Sequence, residues 1–165
     1  PDPQNRPLLV SYLKDRDAGL RGAAAEGLGR LKDPADAPAL EQALADEGNA
    51  SARVSMAFAL VMCGKLELSE FSPLQQLVNT LNSAARSGEA LALLQEAARI
   101  PEVRQRLYQP LRQGTRDEKI GLARVMAHSG DKDSVPLLEA LSHDANVDVA
   151  SEALRALRSL RARLQ

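Results

Sequence analysis

The sequence predicts an all-α solenoid of about five stacked helix pairs. Three observations point there. Ala and Leu recur at three- and four-residue spacings along most of the 165 residues, the period that places apolar side chains on one helix face. Turn-forming residues such as Pro34, Gly48 and Asn49 fall between these stretches, where turns are required. A cationic residue also returns at a nearly fixed interval, Arg21, Arg53, Arg86 and Lys119 being 32, 33 and 33 residues apart.

The elements follow in order. The first pair spans Arg6 to Lys14 and Ala18 to Leu31, with Leu8, Leu9, Tyr12 and Leu13 on one stripe and Leu20, Ala24, Leu28 and Leu31 on the other. The second spans Ala35 to Ala45 and Ala50 to Cys63, where Ala39, Leu40, Ala43 and Leu44 face Val54, Ala57, Leu60 and Val61. Pro34, Gly48 and Asn49 punctuate it. A less regular third pair is read at Glu70 to Leu81 and Ala85 to Arg99. Pro101 then suits the first turn of a helix to Arg112, which Pro110 should end or bend. Gly114 and Thr115 form a turn and N-cap before Arg116 to His128. Asp131 to Asp133 lead into Ser134 to Ser142, and the chain closes with Asn146 to about Arg163. The units are therefore 6–32, 35–64, 69–100, 101–130 and 133–163.

A helix pair of this size cannot bury its faces alone, whereas stacked neighbours share a continuous core. The composition suits stacking. Trp is absent and Tyr and Phe number two each, so the core is aliphatic, with Ala where backbones approach and Leu where gaps widen. Gly27 and Gly29 lie within a helical stripe, with neither a preceding strand nor a Gly-Lys-Ser/Thr ending, and are read as close-packing positions.

The pattern Arg-x-x-Ala-Ala-x-x-Leu-Gly-x-Leu at Arg21, Ala24, Ala25, Leu28, Gly29 and Leu31, followed by Asp33, Ala37 and Leu40, resembles the short HEAT-like repeats also found in phycobilisome lyase-related proteins. It recurs in part at Arg53, Ala57 and Leu60, at Lys119, Leu122, Ala123 and Met126, and at Ala153, Leu154 and Leu157. The resemblance implies a right-handed α–α superhelix with second helices lining its concave side. It also implies that Arg21, Arg53 and Arg86 form a structural ladder, bonding between units to acceptors such as Asp17 near Arg21 and Asp46 or Glu47 near Arg53. It fixes no single function, because such repeats serve binding scaffolds, lyase accessory proteins and DNA-repair enzymes.

Charge narrows the function classes. The 21 Lys and Arg nearly cancel the 22 Asp and Glu, which argues against a globally basic nucleic-acid binder. Local charge is uneven. Residues 1–50 hold six basic and nine acidic residues, and 99–165 hold twelve and nine. Arg99, Arg104, Arg106, Arg112, Arg116, Lys119 and Arg124 gather in one stretch, a candidate patch for an acidic protein or a phosphate backbone. The few aromatic residues disfavour a stacking platform for single strands. Arg155, Arg158, Arg161 and Arg163 lie among leucines of the last helix, as at the solvated edge of an array.

Catalytic and metal signals are weak. His128 with Asp131 and Asp133, and His143 with Asp144, reproduce no clustered ligand spacing, and Cys63 has no nearby His base. No cofactor or metal is expected. No stretch approaches 18 continuous apolar residues, so no membrane span is expected. A lone cysteine favours a reducing, cytoplasmic setting. The opening Pro1-Asp2-Pro3-Gln4-Asn5 carries neither an initiator Met nor a signal-like apolar run, which points to a domain of a longer protein.

The reading is a non-catalytic scaffold that binds another protein or flanking domains of its own chain. Its candidate surface comprises Glu26, Arg30, Glu89, Glu96, Arg104, Arg112, Arg116, Lys119 and Arg124. The alternative, from the family resemblance, is an accessory factor or enzyme acting on a tetrapyrrole or on DNA. Tyr12 and Tyr108 are a poor start for a tetrapyrrole groove, and DNA-base chemistry wants aromatic side chains and a carboxylate in a basic cleft.

Overall fold

The computed structural model describes residues 2–165; Pro1 lies outside the described residues. Among these residues the chain forms ten α-helices with repeating pairwise stacking, as in an α–α solenoid. It divides into two compact units, residues 1–77 and 78–165.

The first unit holds α1 (Arg6–Tyr12), α2 (Ala18–Leu31), α3 (Ala37–Asp46) and α4 (Ala50–Met62). Side-chain caps start its second helices. Asp17 accepts from Leu20 N at 3.0 Å and Asn49 from Ala52 N at 3.0 Å, each satisfying a backbone donor that the first helical turn leaves open. α2 ends at Lys32, whose φ of 56° is the left-handed cap that stops a helix. A 3-10 turn, Pro34–Asp36, then leads into α3.

α1 packs on α2, α3 on α4, and α2 on α4. Their shared core contains Leu13, Ala25, Leu28, Leu40, Met56 and Leu60. α2 approaches α4 closely at Gly29, where an added Cβ would lie 2.8 Å from the Ala59 Cα. Gly27 is looser, its added Cβ meeting the ends of the Leu9 side chain at 3.1 Å.

α5 (Pro73–Thr80) carries the division between the units, and it starts later than Glu70 because Pro73 takes the first turn. The second unit holds α6 (Ser87–Ala97), α7 (Pro101–Gln113), α8 (Arg116–Ser129), α9 (Val135–Leu141) and α10 (Val147–Leu164). α6 and α7 each pack on α8, α9 on α7, and α10 on both α8 and α9. Thr115 caps α8 in a full capping box: it accepts from Glu118 N at 3.2 Å, and Glu118 Oε2 accepts from Thr115 N at 3.0 Å.

Pro110 does not end α7. The helix runs on to Gln113, and Pro110 O accepts from Gly114 N at 2.8 Å. A proline one turn from a C-terminus removes a single donor, and too little helix follows for the lost bond to break it.

One correspondence links the early and late helices. The N-caps Asp17 and Thr115, the arginines Arg6 and Arg104, and the turn acids Asp33 and Asp131 are all 98 residues apart (17 to 115, 6 to 104, 33 to 131). Asp33 and Asp131 each open a 3-10 turn, accepting from Ala35 N and Asp133 N. Asp36 and Ser134 close those turns, and both are buried.

Candidate interaction surface

Two polar links tie neighbouring helix pairs in the same way. Arg21, in the first turn of α2, donates Nε and Nη2 to the two oxygens of Glu47 at 2.6 and 2.8 Å, and Nη1 to Asp15 O at 2.8 Å. Glu47 lies in the α3–α4 turn, 6% exposed, and also accepts from Asn49 N at 2.8 Å. The Arg21 guanidinium, helped by the Asn49 amide, holds this carboxyl at about 2 against the opposing cost of burial. In the second unit Lys119 Nζ meets Asp144 at 2.7 Å, and Asp144 accepts from Asn146 N at 2.8 Å. The Lys119 bond, with that of Asn146, holds Asp144 below the usual carboxylate range.

These links redraw the expected ladder. Lys119, expected on the binding surface, occupies the structural position that Arg21 occupies in the first unit. Arg53 pairs with neither Asp46 nor Glu47 through their carboxylates. Its Nη1 instead donates to Leu44 O and Glu47 O, both at 2.9 Å, closing the C-terminal end of α3 while the Glu47 carboxylate faces Arg21. Asp17 serves as an N-cap. Arg86 stands at the N-cap of α6 without a side-chain cap bond, its N–H on Ser83 Oγ at 3.3 Å.

Arg104 is not a surface residue. It is 8% exposed, donates Nη1 to Ala98 O at 3.0 Å and Ser129 O at 3.4 Å, and forms an ion pair with Asp131 through Nη2. Burial opposes the charge on Asp131, but Arg104 prevails and holds that carboxyl below its ordinary range. The α7 stripe of Val103, Leu107 and Leu111 is buried, and Arg104 turns inward beside it. A sequence count of basic residues cannot separate this arginine from its exposed neighbours Arg106 and Arg112.

The remaining surface candidates divide between the units. In the first, Glu26 accepts from Ser55 Oγ at 2.9 Å and pairs with Arg30 at 3.2 Å, and the Arg30 guanidinium lies 5.6 Å from the Phe58 ring centre. In the second, Glu89 is exposed and Glu96 half-buried on α6, and Arg112 is exposed in the last turn of α7.

On α8 two surface arginines are held by ion pairs to α10. Arg116 reaches Asp148 at 2.6 Å and Asp117 at 2.6 Å, and Arg124 reaches Glu152 at 3.2 Å. Both arginine side chains stay 50% exposed. Asp148 and Glu152 were not among the candidate residues. Their signal is an acid in the following helix, 32 residues after Arg116 and 28 after Arg124 (116 to 148, 124 to 152).

Among the described residues no group of three or more His, Cys, Asp or Glu could hold a metal ion, and no helix is long and apolar enough to cross a membrane. Burial, followed by the nearby charges of Asp36 and Asp33, pushes the Cys63 thiol up to about 11. Such a thiol stays protonated and unreactive near neutral pH.

A helix-pair fold with acid–base links between successive pairs calls for comparison with known repeat families. Residues 1–61 match the family of HEAT repeats. The match covers α1 to α4 up to Val61 and accords with a HEAT-like repeat protein. No curated protein gives a significant match. In the HEAT-matched segment Arg21, Leu28 and Gly29 now have definite tasks: the first bonds across pairs, the second fills the core, and the third admits Ala59.

Proposed function

We propose that the chain is a non-catalytic scaffold that binds another protein, or a further domain of its own chain, and that α8 carries the main contact. The observation behind this reading is the pair Arg116 and Arg124. Each is half exposed, and each is held by a carboxylate from α10. Eight residues of helix separate them by about 12 Å. A guanidinium already held in place loses little freedom when a partner arrives, and its planar fork suits a carboxylate. The expected partner is therefore acidic where it meets α8. Arg112, Glu89 and Glu96 extend the surface in this unit, and Glu26 and Arg30 offer a second contact in the first unit.

The test is affinity capture with the whole chain as bait, alongside an Arg116→Glu/Arg124→Glu variant, with retained macromolecules identified by mass spectrometry. A protein retained by the wild type and lost from the variant supports the scaffold and locates its surface. Recovery of nucleic acid or pigment in place of protein overturns it.

A further inference from the structure

In residues 78–165 the first helices of successive pairs, α7 and α9, pack directly against one another. Tyr108 stands on α7, and its hydroxyl lies 3.2 Å from Ser134 Oγ at the start of α9. Leu137 and Leu141 stand on α9, half-buried and buried. Stepping back 98 residues (108 to 10, 137 to 39, 141 to 43) puts Val10, Ala39 and Ala43 at the same three places. All three are smaller. The first unit has a groove here of about 510 Å³, lined by Val10, Leu13, Ala39 and Ala43 together with Lys14 and Asp46.

We infer that this groove receives an amphipathic helix of a partner protein, presenting two leucine-sized side chains four residues apart, an acidic residue toward Lys14 and a basic one toward Asp46. The inference rests on the reading of the chain as a protein-binding scaffold and names a further contact on it, apart from Glu26 and Arg30. The apolar part of the occupant follows from the molecule's own repeat, which uses Leu137 and Leu141, four residues apart, where the groove has alanines. Residues four apart are neighbours on one helix face, and helix-in-groove recognition reads such anchors. The charged part follows from the lining. Lys14 and Asp46 are exposed, and Asp46 ends α3, where the helix dipole adds to its negative field. Arg21 and Glu47, which also line the groove, neutralise each other and favour neither sign.

The test is a displayed library of helical peptides, randomised along one face and panned on the whole chain. It is counter-selected on Ala39→Leu/Ala43→Leu, which installs the side chains of the later repeat. The enriched peptides should carry Leu, Ile or Met at i and i+4 with an acid and a base beside them. A synthetic copy should bind the filled variant at least ~10-fold more weakly. Circular dichroism and Tm establish that the filled variant folds. The exposed exchange Lys14→Glu/Asp46→Lys supplies a second variant, expected to weaken the same peptide about 5-fold and to be rescued by a charge-swapped peptide.

Enrichment without the i, i+4 pattern, no enrichment over the filled variant, or an affinity indifferent to both variants overturns the inference. So does a groove that takes only the small amphiphile 1-anilinonaphthalene-8-sulfonate. If peptide selection fails while a captured partner still depends on Arg116 and Arg124, the groove falls and the scaffold stands. Loss of the arginine dependence with retention of a groove-specific peptide separates the two claims in the other direction.

Discussion

Arg21 grips Glu47 through two parallel N–H···O bonds of 2.6 and 2.8 Å, joining the start of α2 to the turn between α3 and α4. Lys119 and Asp144 make the corresponding link in the second unit. In each, the acid also anchors the asparagine that caps the following helix, Asn49 or Asn146. One carboxylate, buried at Glu47 and half-buried at Asp144, thus sets both the attachment of a helix pair to its neighbour and the start of the next helix. Glu47→Gln keeps the shape and removes the charge, and should cost about 1–2 kcal/mol in chemical denaturation.

The same link sets a pH dependence. Glu47 is depressed from its ordinary 4.5 to about 2, so its contribution to stability is complete above pH 4.5 and is lost as the pH falls through about 2. Wild-type Tm should fall more steeply than that of Glu47→Gln between pH 5 and 2. Parallel slopes for the two proteins would contradict this.

Gly29 and Gly27 should respond differently to alanine. At Gly29 the new methyl meets the Ala59 backbone at 2.8 Å, and moving α2 away from α4 should cost about 1–3 kcal/mol. At Gly27 it meets only the movable ends of Leu9, and the better helix propensity of Ala offsets the crowding to within about 1 kcal/mol. Thermal melts of the two single variants decide the comparison.

Arg104 and Arg112 test which of the clustered arginines are interior. Removing Arg104 takes the ion-pair partner from Asp131, whose half-exposed carboxylate keeps the Asp133 N–H, and leaves the Ala98 carbonyl without its donor, so Arg104→Ala should cost about 1–3 kcal/mol. Arg112→Ala, at an exposed site, should stay within about 0.5 kcal/mol. Equal losses in urea titrations would return Arg104 to the surface.

Cys63 should be silent in the folded protein. It is buried, and its thiol is raised to about 11. Labelling by 5,5′-dithiobis(2-nitrobenzoate) at pH 8 should therefore track unfolding and accelerate with denaturant. Rapid, denaturant-independent labelling would mean that the thiol is accessible in the native state.

The helices were legible in the sequence because their signals are local. α2 occupies Ala18–Leu31 as its apolar spacing predicts, and Thr115 caps α8. Where the structure departs from the sequence pattern, the deciding partner lies elsewhere in the chain. Arg53 looked like a ladder residue by spacing, yet Glu47 is engaged by Arg21, so Arg53 turns to carbonyls. Arg104 looked exposed by composition, yet Asp131, 27 residues on (104 to 131), draws it inward. Lys119 and Arg124 lie five residues apart on one helix, and only the acids on and before α10 distinguish an internal link from a half-exposed arginine. The groove at Ala39 and Ala43 carries no local signal at all. Small residues read as close packing until the corresponding leucines of the later repeat are set beside them.

The central claim is that Arg116 and Arg124 form a prearranged contact for an acidic protein partner. Its most direct test is calorimetric titration of the captured partner into wild type and Arg116→Glu/Arg124→Glu at low and physiological salt. The account predicts a loss of at least ~10-fold for the variant and a wild-type affinity that weakens with salt, with unchanged helicity. Equal affinity for both proteins at both salt concentrations would contradict it.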